Sequence, residues 1–511
     1  DPLPPPLPKK QLQRAESLPE QGPPHRPRAG SIVSSSLSPH LQREKGASSA
    51  LPPRDRPSWD LKKPLTKSHS LGEPAPRGSP PEAPSPSPAE LTFGVADGEL
   101  GQLLESPSGV CGVVLGCQAA ALARLSAHIQ EELMGPEERH QLLEAELAGQ
   151  SWAALSVLER QPCCESREAW YYRVGFAFRH SRLVLAAKVP KPSCTSPGPR
   201  SPPGVHCSLQ RLIGRFTSRL PQELVLPGSP SGEDPEQPTA RPVLQVSLCA
   251  EVPYQTLAAF VQGSRRWHRG SPGHYERLAC LLLLQLCMGL EHLRGQHTGH
   301  GDLCPENLLL VQCPPRQGQQ GQEASPGLPL PRLLISSFSQ AEDRRRPHSR
   351  SHEQDWPAEA AAAPALVADE LGVAVLIYQL LHVDVSLEQL AGLRSSGRPE
   401  LPALSIYSWG LGRLAALLLH RDPCQRVSVE QARSVLQVLL WGPRQELFAR
   451  SRKSLALLRS WLQAKRALLL LRFAESAAGG PGSPGLEEWL CCQYFGEATE
   501  HALCHVTQLL Y

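Results

Sequence analysis

The sequence predicts an α+β fold in which a small sheet leads into a larger helical body, with an unfolded tail in front. Three observations predict it. Prolines crowd the start, with 21 of 53 falling in residues 1–90. Strand-like apolar segments cluster between residues 169 and 248, and from residue 273 onward apolar side chains recur three or four apart.

The tail, residues 1–96, lacks apolar periodicity and cannot bury enough surface to offset chain entropy, so it is expected to be disordered. Its content is short motifs. Pro5-Pro6-Leu7-Pro8-Lys9-Lys10 favours polyproline II, which lays Pro5, Leu7 and Pro8 along an aromatic groove and sets Lys10 at its acidic end, as an SH3 ligand does. A basic residue three positions before a serine recurs as Lys67 before Ser70 and as Arg14 before Ser17. Phosphorylated there, the serine offers a dianion to an arginine cluster such as the 14-3-3 groove, and Gly72 or Pro19 turns the chain out of it. A proline-rich spacer and ordinary charged disorder are the plainer readings.

Net charge is +3, and residues 1–90 hold 13 Lys or Arg against nine Asp or Glu, which leaves the body near neutral. The run Arg344–Arg346 is local, so no nucleic-acid partner is expected. Fifteen cysteines fit no zinc spacing, and Cys280 and Cys287 lie in an apolar run. They read as buried free thiols of a reducing, cytoplasmic setting. The apolar runs 279–290 and 371–381 are too short or interrupted for a membrane span, and no signal peptide opens the chain.

Along the body, residues 97–160 carry helical patterns, with Leu122, Leu125 and Ile129 on one face and Leu142, Leu143 and Leu147 in a second cluster. Residues 170–178, 183–189 and 243–248 read as strands, and 207–220 as a helix. Residues 273–294 form a long core helix, 333–335 a short strand, and 371–381 and 411–419 further buried helices. An amphipathic helix at 452–475 places Lys453, Arg459, Lys465 and Arg466 on its wet side, and one or two helices close the chain.

Sheet lobe, long helix, then His300-Gly301-Asp302-Leu303-Cys304-Pro305-Glu306-Asn307 resembles the protein-kinase order ending in H-R-D-L-x-x-x-N. Ala187-Lys188 ends a strand as the V-A-I-K lysine does, and Asp422-Pro423-Cys424-Gln425-Arg426 resembles the late D-P-x-x-R. The resemblance implies a two-lobed kinase-like fold. The departures remove its chemistry. Residues 165–187 hold one glycine, Gly175, where bare backbone should cradle phosphates. No glutamate occurs in 206–222 to pair Lys188, and Gln210 is the nearest polar candidate. Ser337 stands where D-F-G has its metal-binding Asp, and a hydroxyl holds no Mg²⁺ against triphosphate. Lys188, Asp302, Asn307 and Ser337 are therefore degenerate remnants; no catalytic residue, cofactor or metal is expected. Asp302 reads as a loop cap or as a residual base.

With Leu439-Leu440-Trp441-Gly442-Pro443 and the helices on both sides of the kinase-like region, the chain resembles the PEAK pseudokinases, most nearly their short third member. That resemblance implies a split helical dimerisation domain from residues 97–164 and 445–511 around a pseudokinase domain at 165–444, with inserts near 191–206, 227–241, 313–330 and 340–362. It places Leu122, Leu125, Ile129, Leu458, Trp461 and Leu462 at the dimer. It also implies homodimers, heterodimers with the longer relatives, Crk- and Grb2-type adaptors, 14-3-3, and a role in actin, cell shape and motility. The residues alone leave packing of the flanking helices within one chain open. They also leave open an atypical active kinase using Asp302, and a helical binding module whose folded body holds the partners.

Overall fold

The computed structural model describes residues 107–192, 204–227, 243–296, 298–300, 303–313, 330–336, 338–340, 365–383, 400–420, 424–449, 454–478 and 484–511, with positions 101, 105 and 422. The tail motifs at Pro5, Leu7, Pro8, Lys10, Arg14, Ser17, Pro19, Lys67 and Ser70 lie outside them, as do Asp302 and Ser337.

Two helices come first, α1 (Pro107–Met134) and α2 (Glu137–Leu147). They part at Gly135, whose φ of 77° suits glycine, and at Pro136, which starts α2 without needing an N–H. The two then serve different lobes. Leu143 and Leu147 of α2 join the core of the sheet, whereas Leu122 and Ile129 of α1 join the helical core.

The sheet contains β1 (Leu155–Val157), β2 (Cys164–Glu165), β3 (Ala169–Phe178), β4 (Ser181–Pro190), β5 (Leu212–Arg219) and β6 (Val243–Cys249). It runs β1-β3-β4-β6-β5, with β2 also on β3, and each of these pairings is antiparallel. Strand β3 is buried on both faces, as its aromatic run requires. Trp170, Tyr172, Val174, Phe176 and Phe178 face one core, while Ala169 and Tyr171 face a second with Ala186, Cys249, Leu309 and Leu334. The sheet begins ahead of the expected boundary at residue 165. The helix expected over 207–220 is instead β5, whose residues alternate in burial from Leu212 to Arg219 and pair with β6. Period two overrides the weak helical spacing there.

The helical body follows: β7 (Pro253–Thr256), α3 (Leu257–Gly263), α4 (Arg265–Gly270), the core helix α5 (Pro272–Gly295), β8 (Thr298–His300), β9 (Leu308–Val311), β10 (Arg332–Ile335), β11 (Phe338–Gln340), α6 (Ala365–Leu380), α7 (Ile406–Leu418) and α8 (Val429–Trp441). Buried polar groups on α5 fix its neighbours. Glu276 accepts from the Ser408 N–H at 3.0 Å and from the Ser405 hydroxyl, and pairs with His268 Nε2 at 2.9 Å. Gln285 accepts from the Leu333 N–H at 2.9 Å, anchoring β10. Ser428 and Gln431 form a capping box that starts α8.

After α9 (Gln445–Ala449), helices α10 (Leu455–Ala478), α11 (Leu486–Glu497) and α12 (Glu500–Leu510) pack with α1 and onto α8. Leu122, Ile129, Leu458 and Leu462 are buried inside this one chain, with Leu125 and Trp461 half-buried beside them. Arg466 is not on the wet side. It is 5 % exposed, and its guanidinium donates to the carbonyls of Phe495 (2.6 Å), Ala498 (2.9 Å), Gly496 (3.4 Å) and Leu115 (3.4 Å). Lys453 lies outside the described residues.

By length and composition alone, two segments could cross a membrane, which the shorter runs read from sequence did not suggest. One is α5, whose apolar window is 72 % buried as a core helix. The other lies within 109–147 and is 6 % buried.

Candidate functional site: a cleft filled by its own side chains

The cleft lies between the sheet and β9–β10, where a nucleotide sits in a kinase. Lys188 arrives on β4, paired to β3 at Tyr171 and to β6 at Ser247. Its ammonium donates to the Ser336 carbonyl at 2.8 Å and lies 5.9 Å from the centre of the Tyr171 ring. Burial lowers its pKa from the ordinary lysine value. Gln210 is not its partner; the Gln210 side-chain oxygen accepts from the Tyr171 hydroxyl at 3.4 Å.

Asn307 is fully buried just before β9. Its side-chain amide donates to Glu168 at 3.3 Å, and its backbone carbonyl accepts from the Ser336 hydroxyl at 2.7 Å. Its Oδ1 has no partner among the described residues. Glu168 belongs to the connection 158–168, Leu-Glu-Arg-Gln-Pro-Cys-Cys-Glu-Ser-Arg-Glu, which leads from β1 into β3 and contains no glycine. Strand β2, inside it, packs against β7. The segment over the cleft is therefore this one, and not the turn at Phe178-Arg179. That turn joins β3 to β4 through Arg179 at a φ of 54°.

A seam joins the lobes beside Lys188. Where a kinase places a helix bearing the lysine's glutamate, residues 204–211 run without one. Leu209 bridges Ile335 in parallel, Gln210 N–H donates to the Ile335 carbonyl at 3.0 Å, and Ile335 N–H to the Ser208 carbonyl at 2.9 Å. Arg332 donates to the Cys207 carbonyl at 2.5 Å and pairs with Glu251 at 2.9 Å. Arg211 forks onto Glu137 of α2 at 2.6 and 2.7 Å. Gly289 of α5 lets the seam settle, because a Cβ there would stand 2.9 Å from Ile335 Cδ1 and 3.1 Å from Ser208 Cβ.

Among the described residues no group of three His, Cys, Asp or Glu side chains gathers to hold a metal. Lys188 and Asn307 are brought together around Ser336, and both are engaged by protein atoms. Sequence reasoning missed Glu168 and Ser336. A glycine-free run before β3 was the signal for the first; a backbone carbonyl as lysine partner leaves no signal.

A kinase-like arrangement of lobes whose lysine and asparagine are taken by the chain itself defines a pseudokinase. No family model matches the chain. Inactive tyrosine-protein kinase PRAG1 of Rattus norvegicus is 35 % identical over 456 residues, covering 80 % of this chain and 33 % of the relative. Inactive tyrosine-protein kinase PEAK1 of Homo sapiens is 32 % identical over 472 residues, covering 80 % of this chain and 27 % of the relative. The chain thus spans about one third of the length of the PRAG1 relatives it matches. The crystal structure of the pseudokinase PEAK1 superposes with a TM-score of 0.60 at 31 % identity, over 79 % of this chain and all of that one. The chain belongs to the PEAK family of pseudokinases.

Proposed function

We propose that the chain is a catalytically inactive scaffold that dimerises through its flanking helices and displays adaptor-binding motifs on its tail. The observation that carries the inactivity is the bond from Lys188 to the Ser336 carbonyl. An ammonium turned to a main-chain carbonyl is diverted from nucleotide phosphates, and phosphoryl transfer is mostly positioning and neutralisation. The relatives named inactive tyrosine-protein kinases support the same reading. Titration of the full chain with Mg²⁺-ATP is expected to give no saturable thermal shift. Saturable binding with phosphate transfer that disappears in Asp302→Asn would overturn it.

Dimerisation rests on α1 and α10. The apolar window within 109–147 is 6 % buried, and Leu468 and Leu471 of α10 are 61 % and 58 % exposed. From Gly109 the uncharged run of α1 ends at Arg124, short of the ~20 residues a bilayer needs, so a partner helix fits better than lipid. With Leu122, Ile129, Leu458 and Leu462 spent inside the chain, Leu468 and Leu471 are the better contacts across a dimer. Sedimentation of the full chain carrying Leu468→Glu and Leu471→Glu is expected to show monomer where the parent is dimer.

For the tail, Pro5, Leu7, Pro8 and Lys10 are proposed as the ligand of Crk-type, and of Grb2-type, SH3 domains. Phosphorylated Ser70 after Lys67 is proposed as the 14-3-3 site, with Arg14, Ser17 and Pro19 as a second. Longer PEAK relatives are the proposed heterodimer partners, and actin organisation, cell shape and motility in the cytoplasm the proposed setting.

A further inference from the structure

The short helix that precedes the core helix carries three arginines and no acidic residue. No Asp or Glu occurs in residues 252–275, whereas Arg265, Arg266 and Arg269 all fall in α4. The run Arg265-Arg266-Trp267-His268-Arg269 sorts its side chains by chemistry. Its two rings are packed against α5: His268 is 5 % exposed and pairs with Glu276 at 2.9 Å, and Trp267 meets the Tyr275 ring edge-on with centroids 5.6 Å apart. Glu276 in turn accepts from the Ser408 N–H, so α4 is tied to both α5 and α7. The three arginines are left exposed on that braced helix. Among the described residues Arg266 and Arg269 form no ion pair.

Folding gives no reason for this grouping. Arg265 and Arg266 open α4, where a helix favours anions, and Arg269 stands one turn beyond Arg265, where like charges repel. An anion brought from outside removes both conflicts. Guanidinium forks bond phosphate and carboxylate bidentately, and a phosphoserine, with nearly two charges and three acceptor oxygens, meets several forks at once. Three arginines are fewer than the about four to eight basic residues of a lipid-binding cluster, and no large apolar side chain in 257–275 is exposed to enter a bilayer. Nucleic acid asks for a broader basic face. We propose that Arg265, Arg266 and Arg269 form a docking surface for a short phosphorylated, acidic segment of a partner protein. The surface belongs to the folded body and depends neither on the tail motifs nor on dimerisation.

The probe is a fluorescein-labelled peptide with one phosphoserine between pairs of glutamates, titrated with the full chain and read by fluorescence anisotropy. Saturable binding is expected, about tenfold weaker when the serine is unphosphorylated, as the loss of one charge-assisted bond predicts. Arg266→Gln combined with Arg269→Gln is expected to weaken binding of the phosphopeptide by about tenfold or more. Both side chains are exposed, so the melting temperature of that variant is expected to stay at the parent value. No saturable signal up to the solubility limit of the chain would overturn the proposal. Equal binding of the two peptides, or undiminished binding by the double variant, would overturn it as well. Co-sedimentation with phosphatidylserine-containing vesicles supplies the other arm: retention of the parent that is lost in the double variant would assign the surface to a membrane and not to a protein segment.

Discussion

Lys188 in the cleft and Arg466 in the C-terminal helices are both cations held away from water by main-chain carbonyls, with no carboxylate bonded to either among the described residues. They differ in how many and from where. Among the described residues Lys188 has one carbonyl, Ser336, across the two lobes. Arg466 has four, from α1 and from the end of α11. The guanidinium fork can satisfy several carbonyls at once where an ammonium holds one well in this setting. In the bundle the cation assembles helices far apart in sequence. In the cleft it is a leftover of phosphate chemistry turned to structural use, and burial alone does not distinguish the two.

The sharpest break of that comparison is Arg466→Leu. It strands four carbonyls at the α1–α11 junction and is expected to lower stability by on the order of 3 kcal/mol in urea unfolding. Gly289→Val tests the seam from the α5 side. The added carbons meet Ile335 and Ser208, and a loss of about 1–3 kcal/mol in the same assay is expected. Lys188→Met should sit at the other extreme, with a change of about 1 kcal/mol or less, because an apolar chain of similar length also escapes the desolvation cost. A loss as large as that of Arg466→Leu would show that the Ser336 bond holds the lobes together.

The pH dependence is the most discriminating, since Glu291 and His206 titrate in opposite directions. Burial pushes Glu291, beside Arg433 of α8, up to about 7 from an ordinary 4.5. The folded chain then keeps a proton that the unfolded chain releases, so the contribution is full below 4.5 and lost as pH rises to about 7. Burial, with His292 stacked 4.9 Å away, pushes His206 at the seam down to about 3 from 6.5. Its contribution is full above 6.5 and lost as pH falls toward 3. Melting temperature against pH is therefore expected to lose its decline between pH 4.5 and about 7 in Glu291→Gln, and its decline from pH 6.5 toward about 3 in His206→Phe. A profile unchanged in both would contradict the burial of these groups.

The sheet, the core helix and the kinase-like order were legible because they rest on periodicity and spacing, which a sequence displays directly. Residues 207–220 misled because Leu209, Leu212 and Ile213 also fit a helical stripe, and only pairing with β6 decides for a strand. Arg466 misled for a related reason. A charged residue on an amphipathic helix reads as wet, and the four carbonyls that bury it belong to two other helices. Within the cleft, sequence showed which groups a kinase would need and which were replaced. It gave no sign that Glu168 would reach Asn307 or that Ser336 would take Lys188, because both contacts depend on where distant segments land.

The backbone bridge between Leu209 and Ile335 has a mechanical consequence. An enzyme of this fold must breathe, opening to admit a nucleotide and closing to use it. Here main-chain bonds run from one lobe to the other beside Lys188, and an opening between the lobes would have to break them. Such a link favours a set distance between what is fastened to the sheet and what is fastened to the helices, the property a spacer needs and a catalyst can least tolerate.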